Sequence, residues 1–216
     1  MFVICLFLLA PALAGASSLK LAYVQHGWLY TVRIDRTGVP VRGAKPVRIR
    51  PIPVNTSISL VGSPNGRYVA ATIDYGIQLI SLVNHKIMSW PDTGSEPSFS
   101  PDGRHMAYVS GDDDLPDVRT LNIETGHVRI LRSNVFKPFW SADGKEIACL
   151  EDLTEKSGDG YGLILNARTG KVDFRTETGI NPTDLILSAN GRYLATLNHL
   201  SRPLLGHEIT DRRPDK

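Results

Sequence analysis

The chain has 216 residues, 42% of them apolar and 21% charged, with a formal net charge of +2. That near balance excludes the conspicuous basic excess of a nucleic-acid binder. The length suffices for one good core or a row of repeats, and two cysteines, Cys5 and Cys149, exclude a disulfide framework.

Residues 1–16, MFVICLFLLAPALAGA, carry no charged side chain and end in small residues. The run is short for a bilayer span, which takes about 20 apolar residues. Ala12-Leu13-Ala14 and Ala14-Gly15-Ala16 both suit signal-peptide cleavage. The expectation is export to an extracytoplasmic compartment, periplasmic or secreted, with no stable membrane insertion after cleavage. An uncleaved anchor or a misplaced start is the alternative, because the segment lacks an N-terminal Lys or Arg. Pro11 argues against a core helix.

The segment LAYVQHGWLYTVRIDRTG, from Leu19, reads as a partial unit of paired strands over 19–50. Four full units follow, near 57–90, 97–132, 137–175 and 182–200. Each opens on one phrase: SPNGRYVAATI from Ser63, SPDGRHMAYVS from Ser100, SADGKEIACLE from Ser141 and SANGRYLATLN from Ser188. Ser-Pro-Asp-Gly suits a type I turn closed by a left-handed glycine, the common hairpin loop with a Gly bulge. After the glycine come a basic residue, a variable one, a large apolar one, and then Ala70, Ala107, Ala148 or Ala195. Apolar side chains continue on both faces of these runs, which predicts strands covered on two sides. The recurring alanine predicts close approach of a neighbouring sheet. Further strands are expected at 75–83, 116–123 and 161–167, and Thr-Gly marks second hairpins in NIETGHV and NARTGKV. The turn glycines Gly66, Gly103, Gly144 and Gly191 are spaced by 37, 41 and 47 residues, a period near that of propeller blades. The predicted core includes Val69, Ile73, Met106, Tyr108, Ile147, Leu150, Leu194 and Leu197. The stretch 201–216 reads as a polar tail, too Pro-broken to build a blade.

FSPDGRHMAYVS, an acidic loop and then PDVRTLNIETG resemble the WD-like repeat of the TolB propeller domain. The phrases are also similar to repeats in the N-terminal propeller of prolyl oligopeptidase-type peptidases. The resemblance covers most of residues 19–200 and implies an all-β fold, a propeller-like array of about four to five four-stranded blades. It implies no activity, because the repeat serves many functions. Two departures stand out: TolB carries an α/β domain ahead of a six-bladed propeller, whereas here strands are expected almost directly from Leu19, and the phrases are too few for six blades. An incomplete or truncated array is therefore an alternative, and closure would need N-terminal strands to share a sheet with the C-terminal unit.

The acidic run GDDDLPD holds Asp112, Asp113, Asp114 and Asp117, and the next unit's loop, EDLTEKSGDGYG, holds Asp159. An EF-hand counted from Asp112 would need Gly and Glu where Asp117 and Ile123 stand. Solvated turns therefore compete with a partner-binding surface. The histidines stand singly, without zinc spacing. There is no G-x-S-x-G elbow, and Gly158, Gly160 and Gly162 make no phosphate loop. The basic stretch from Arg33 to Arg50 reads as a solvated hairpin or a surface for an anionic partner. These features predict no enzyme, no metal and no cofactor. The expected function is a noncatalytic extracytoplasmic scaffold that binds a protein or cell-envelope partner through the acidic loops, with no nucleic-acid partner. A fragment without independent activity, or an enzyme with a site in the propeller channel, is the alternative.

Overall fold

A computed structural model describes residues 7–9, 19–35, 37–52, 58–73, 76–111, 116–152, 159–180, 182–198 and 206–212. Among them are nineteen strands and no helix. They form five antiparallel sheets: β1(Phe7–Leu9) to β4(Val47–Pro51), β5(Ile58–Gly62) to β8(Ile87–Thr93), β9(Ser95–Phe99) to β12(Val128–Ser133), β13(Val135–Trp140) to β16(Val172–Ile180), and β17(Pro182–Leu187) to β19(Gly206–Asp211). The first four have four strands and the last has three, each in sequence order. The expected all-β array of blades is thus present, with five of them.

Each repeated phrase is a hairpin turn. Gly66, Gly103, Gly144 and Gly191 have φ of 68°, 65°, 72° and 67°, the region that glycine alone occupies without strain. In each turn the glycine N–H donates to the carbonyl of the opening serine, at 2.8 to 3.0 Å. That serine explains its own recurrence. Its Oγ lies 2.6 to 2.8 Å from the Oδ1 of Asn65, Asp102, Asp143 or Asn190. In three turns the Oγ also accepts from the backbone N–H of Tyr68, Glu146 or Tyr193. A hydroxyl both donates and accepts, so one buried side chain holds turn and strand together.

The chain divides into two compact units, residues 1–103 and 104–216, at the turn after β9. In the first, β2(Leu19–Gln25) and β3(Trp28–Ile34) turn Ala22, Val24 and Leu29 onto Leu60, Val69, Ala71 and Ile73 of the second blade. In the second, Ala107 and Val118 of the third blade meet Ile147, Cys149, Leu163 and Leu165 of the fourth. On its other face the fourth blade packs Ala148, Leu150 and Ile164 against Leu185, Leu187 and Leu194 of the fifth. In these three packed pairs, strand alternation gives the later blade a leading face toward the preceding one, while the recurring alanine lies on the opposite, trailing face of its blade. Ala70, Ala107 and Ala148 are fully buried. Close approach also shows at Gly162, where an added Cβ would lie 2.9 Å from Leu194 Cδ2.

Three expectations change. The stretch 201–216 is not wholly a tail, because Gly206–Asp211 pairs with β18(Tyr193–Asn198) along its length. Its polar groups anchor it: Arg192 Nη2 meets Asp211 Oδ2 at 2.8 Å, and Arg212 reaches Glu146 at 2.9 Å and the Gly191 carbonyl at 2.7 Å. The first unit extends beyond 19–50, since Phe7–Leu9 pairs with β2 in the register Phe7↔Ala22. Leu197 is 37% exposed, for it lies on the fifth blade's trailing face. The other seven predicted core residues are buried. Among the described residues the N-terminal strands β1–β4 pair in a sheet of their own.

Candidate functional site

Because the fourth blade is packed on both faces, its strand ends are the parts left for contact. One end carries the serine turns. Within the first unit, Asn65 Nδ2 donates at 3.1 Å to the carbonyls of both Asp102 and Gly103, tying successive turns together. In the second unit the turns of the fourth and fifth blades flank a groove of about 440 Å³ lined by Asp143, Lys145, Glu146, Asn190 and Gly191. Arg212 makes a two-pronged pair to Glu146 Oε1 and Oε2 beside it, the geometry that matches a guanidinium to a carboxylate. Asp143 accepts from the Lys145 N–H and the Ser141 hydroxyl, which hold its carboxyl below its ordinary range.

The opposite end carries the acidic loops. Asp117 opens β11(Asp117–Asn122) opposite Ser110, and Arg119 Nη2 lies 3.6 Å from its carboxylate. Asp159 opens β15(Asp159–Asn166) opposite Ile180, and its side chain lies outside the described residues. Asp112, Asp113 and Asp114 also lie outside them. Both loops connect the second and third strands of their blades, so the repeat puts them at corresponding ends. No described contact joins Asp117 to Asp159.

At the same strand ends lies a cluster that sequence reasoning missed. Glu151, at the end of the fourth blade's second strand, is buried and receives Arg132 Nη2 at 3.2 Å and Arg175 Nη2 at 3.0 Å. Arg175 also stacks on Tyr161, 3.7 Å from the ring centroid. Two guanidiniums offset the desolvation of one carboxylate, and removing both would strand a buried charge. Asp117 and Glu151 are thus each set beside arginine. Arg132 and Arg175 have no motif of their own, and only the fold brings them to Glu151.

Beneath this cluster Cys149 is fully buried and its thiol is pushed up to about 12, chiefly by desolvation, a structural rather than reactive cysteine. Among the described residues no three His, Cys, Asp or Glu side chains gather as a metal site requires, and no helix is long and apolar enough to cross a membrane. In the basic stretch, Arg48 lies 3.1 Å over the Trp28 ring and Arg50 Nη1 donates to Gln78 at 3.1 Å.

No protein-family model matches the chain, and no curated protein matches it. Solved structures do. TolB from Acinetobacter baumannii is 20% identical with a TM-score of 0.61, over 95% of this chain and 49% of its own. A TolB-type structure from Agrobacterium tumefaciens is 17% identical with a TM-score of 0.62, over 96% of this chain and 78% of its own. The β-propeller domain of Cps50 (Swd1) from Myceliophteria thermophila is 16% identical with a TM-score of 0.58, over 96% and 72%. The chain spans about half the length of the Acinetobacter structure, and the likeness establishes a TolB-like, WD40-like propeller fold.

Proposed function

We propose that this propeller array is a noncatalytic interaction module that works outside the cytoplasm and takes a protein or envelope partner at its acidic-loop end. The observation that carries this reading is the burial of both faces of the fourth blade, which leaves its strand ends as the contact surface. The connections at that end of the third and fourth blades, 112–117 and 152–159, are rich in carboxylates. A partner with basic groups would be held by several weak contacts, with association slowed by salt. The paired Glu151 serves as a rigid floor rather than a contact. Export follows from the apolar segment 1–16, and cleavage after Ala14 or Ala16 would take β1 with it, so that the mature first blade begins at β2.

The test is a pull-down from the native host's envelope with the wild-type chain and a variant carrying Asp112→Asn, Asp113→Asn and Asp114→Asn. The variant should capture the partner several-fold more slowly with an unchanged melting temperature, and N-terminal sequencing of the chain recovered from the envelope should begin at Gly15 or Ser17. Equal capture by both chains would show that the loops are only solvated turns.

A second reading rests on the coverage of the Acinetobacter structure: the chain is part of a larger propeller assembly. The β-propeller domain of the trilobed protease from Pyrococcus furiosus, with a TM-score of 0.50 over 96% of this chain, marks a peptidase-linked form of that reading.

A further inference from the structure

The basic stretch from Arg33 to Arg50 takes no part in the acidic-loop surface. Its six arginines and lysines stand against one acid, Asp35, so these residues hold +5 while the rest of the chain holds −3 of the net +2. Asp35 is taken up by its own turn. Its Oδ1 accepts from the Thr37 N–H at 2.8 Å, the Thr37 hydroxyl at 2.6 Å and the Val39 N–H at 3.0 Å. Arg48 and Arg50 are engaged with Trp28 and Gln78. Among the described residues no carboxylate comes within ion-pairing reach of Lys20, Arg33, Arg42 or Lys45.

The connection from β3 to β4 that carries these cations is held by its own backbone. The Val41 N–H donates to the Arg33 carbonyl at 3.0 Å, and the Asp35 N–H to the Val39 carbonyl at 2.8 Å. The Ala44 N–H donates to the Val41 carbonyl at 2.8 Å, closing a turn with Arg42 at its first corner and Gly43, at φ 77°, at its second. Arg33, Arg42 and Lys45 are exposed, and between and beside them Val39 is 55% and Val47 50% exposed. The β2–β3 register also sets Lys20 directly opposite Arg33, a like-charge pair that weakens a sheet. An anion over that pair reverses the cost. Cations of one sign strung along a single connection, interleaved with exposed valines, suit a surface whose phosphates lie above hydrocarbon. We propose that this connection is a peripheral membrane-binding surface, resting on anionic phospholipid headgroups through Lys20, Arg33, Arg42 and Lys45, with Val39 at the acyl boundary. It adsorbs without inserting, and it is independent of the acidic loops.

Co-sedimentation of the 216-residue chain with vesicles reads the binding. Residues 1–16 carry no charged side chain, so they contribute equally to neutral and anionic vesicles. Against phosphatidylcholine alone, vesicles with about a quarter phosphatidylglycerol should bind the wild type at least about tenfold more strongly, and less so as salt rises. Arg42→Gln with Lys45→Gln should remove most of that preference at an unchanged melting temperature. Arg33→Gln should weaken binding while holding or raising the melting temperature, since it also relieves the contact with Lys20, a combination that a structural arginine would not give. Val39→Ser should weaken vesicle binding several-fold and leave retention on immobilised polyglutamate unchanged, which separates a lipid surface from an acidic protein. Equal binding to the two vesicles, an Arg42 and Lys45 variant that keeps the preference, or vesicle binding indifferent to Val39→Ser would each overturn the inference.

Discussion

Asp143 shows how one side chain serves a turn that the chain writes four times. Its Oδ1 takes the Lys145 N–H at 3.1 Å and the Ser141 hydroxyl at 2.8 Å, the part that Asn65 and Asn190 play in their own turns. These donors favour the carboxylate and lower its affinity for a proton. Its folded value therefore lies below its unfolded one, about 3.9. The stabilisation is present above the unfolded value and is lost as pH falls through the folded one. Asp143→Asn should keep the turn and flatten that acid dependence, while Asp143→Ala should lose no more than about 1 kcal/mol, since the site is half in water. Urea unfolding at pH values between 7 and 3 measures both. The opening serines were legible as repetition, but their bonding was not, because a hydroxyl's partners depend on which backbone N–H the folded hairpin turns toward it.

At the scale of a strand, the same repeat position has different consequences in different blades. Leu150 and Leu197 follow equivalent alanines on the second strands of their blades. Leu150 is fully buried between blades, and truncation to alanine should cost about 2–5 kcal/mol. Leu197, more than a third exposed, should lose less than about 1 kcal/mol. Urea midpoints of the two variants decide whether blade packing or strand identity governs stability. Both leucines were expected in the core, but how far each is buried depends on what packs over its blade, and no local signal encodes that. The strand Gly206–Asp211 was illegible for a related reason: its polarity became an anchor only when Arg192, Glu146 and Gly191 were in reach.

Across the whole molecule, a blade gains stability from its neighbours, as expected of quasi-one-dimensional arrays. Strand β14(Glu146–Asp152) is paired on both sides and packed on both faces, whereas the only described neighbour of β19 is β18. Native-state hydrogen exchange should therefore protect the amides of β14 at least about tenfold more than those of β19. Equal protection would mean that the fifth blade unfolds only with the fourth. The sequence by itself determined the all-β class, the blade period, the hairpin glycines and most of the core, because turn chemistry and apolar alternation act within about ten residues of chain. The tertiary structure decided the charge cluster at Glu151 and the anchoring of the last strand. Those depend on which strands become neighbours across tens of residues, and burial is a property of neighbours.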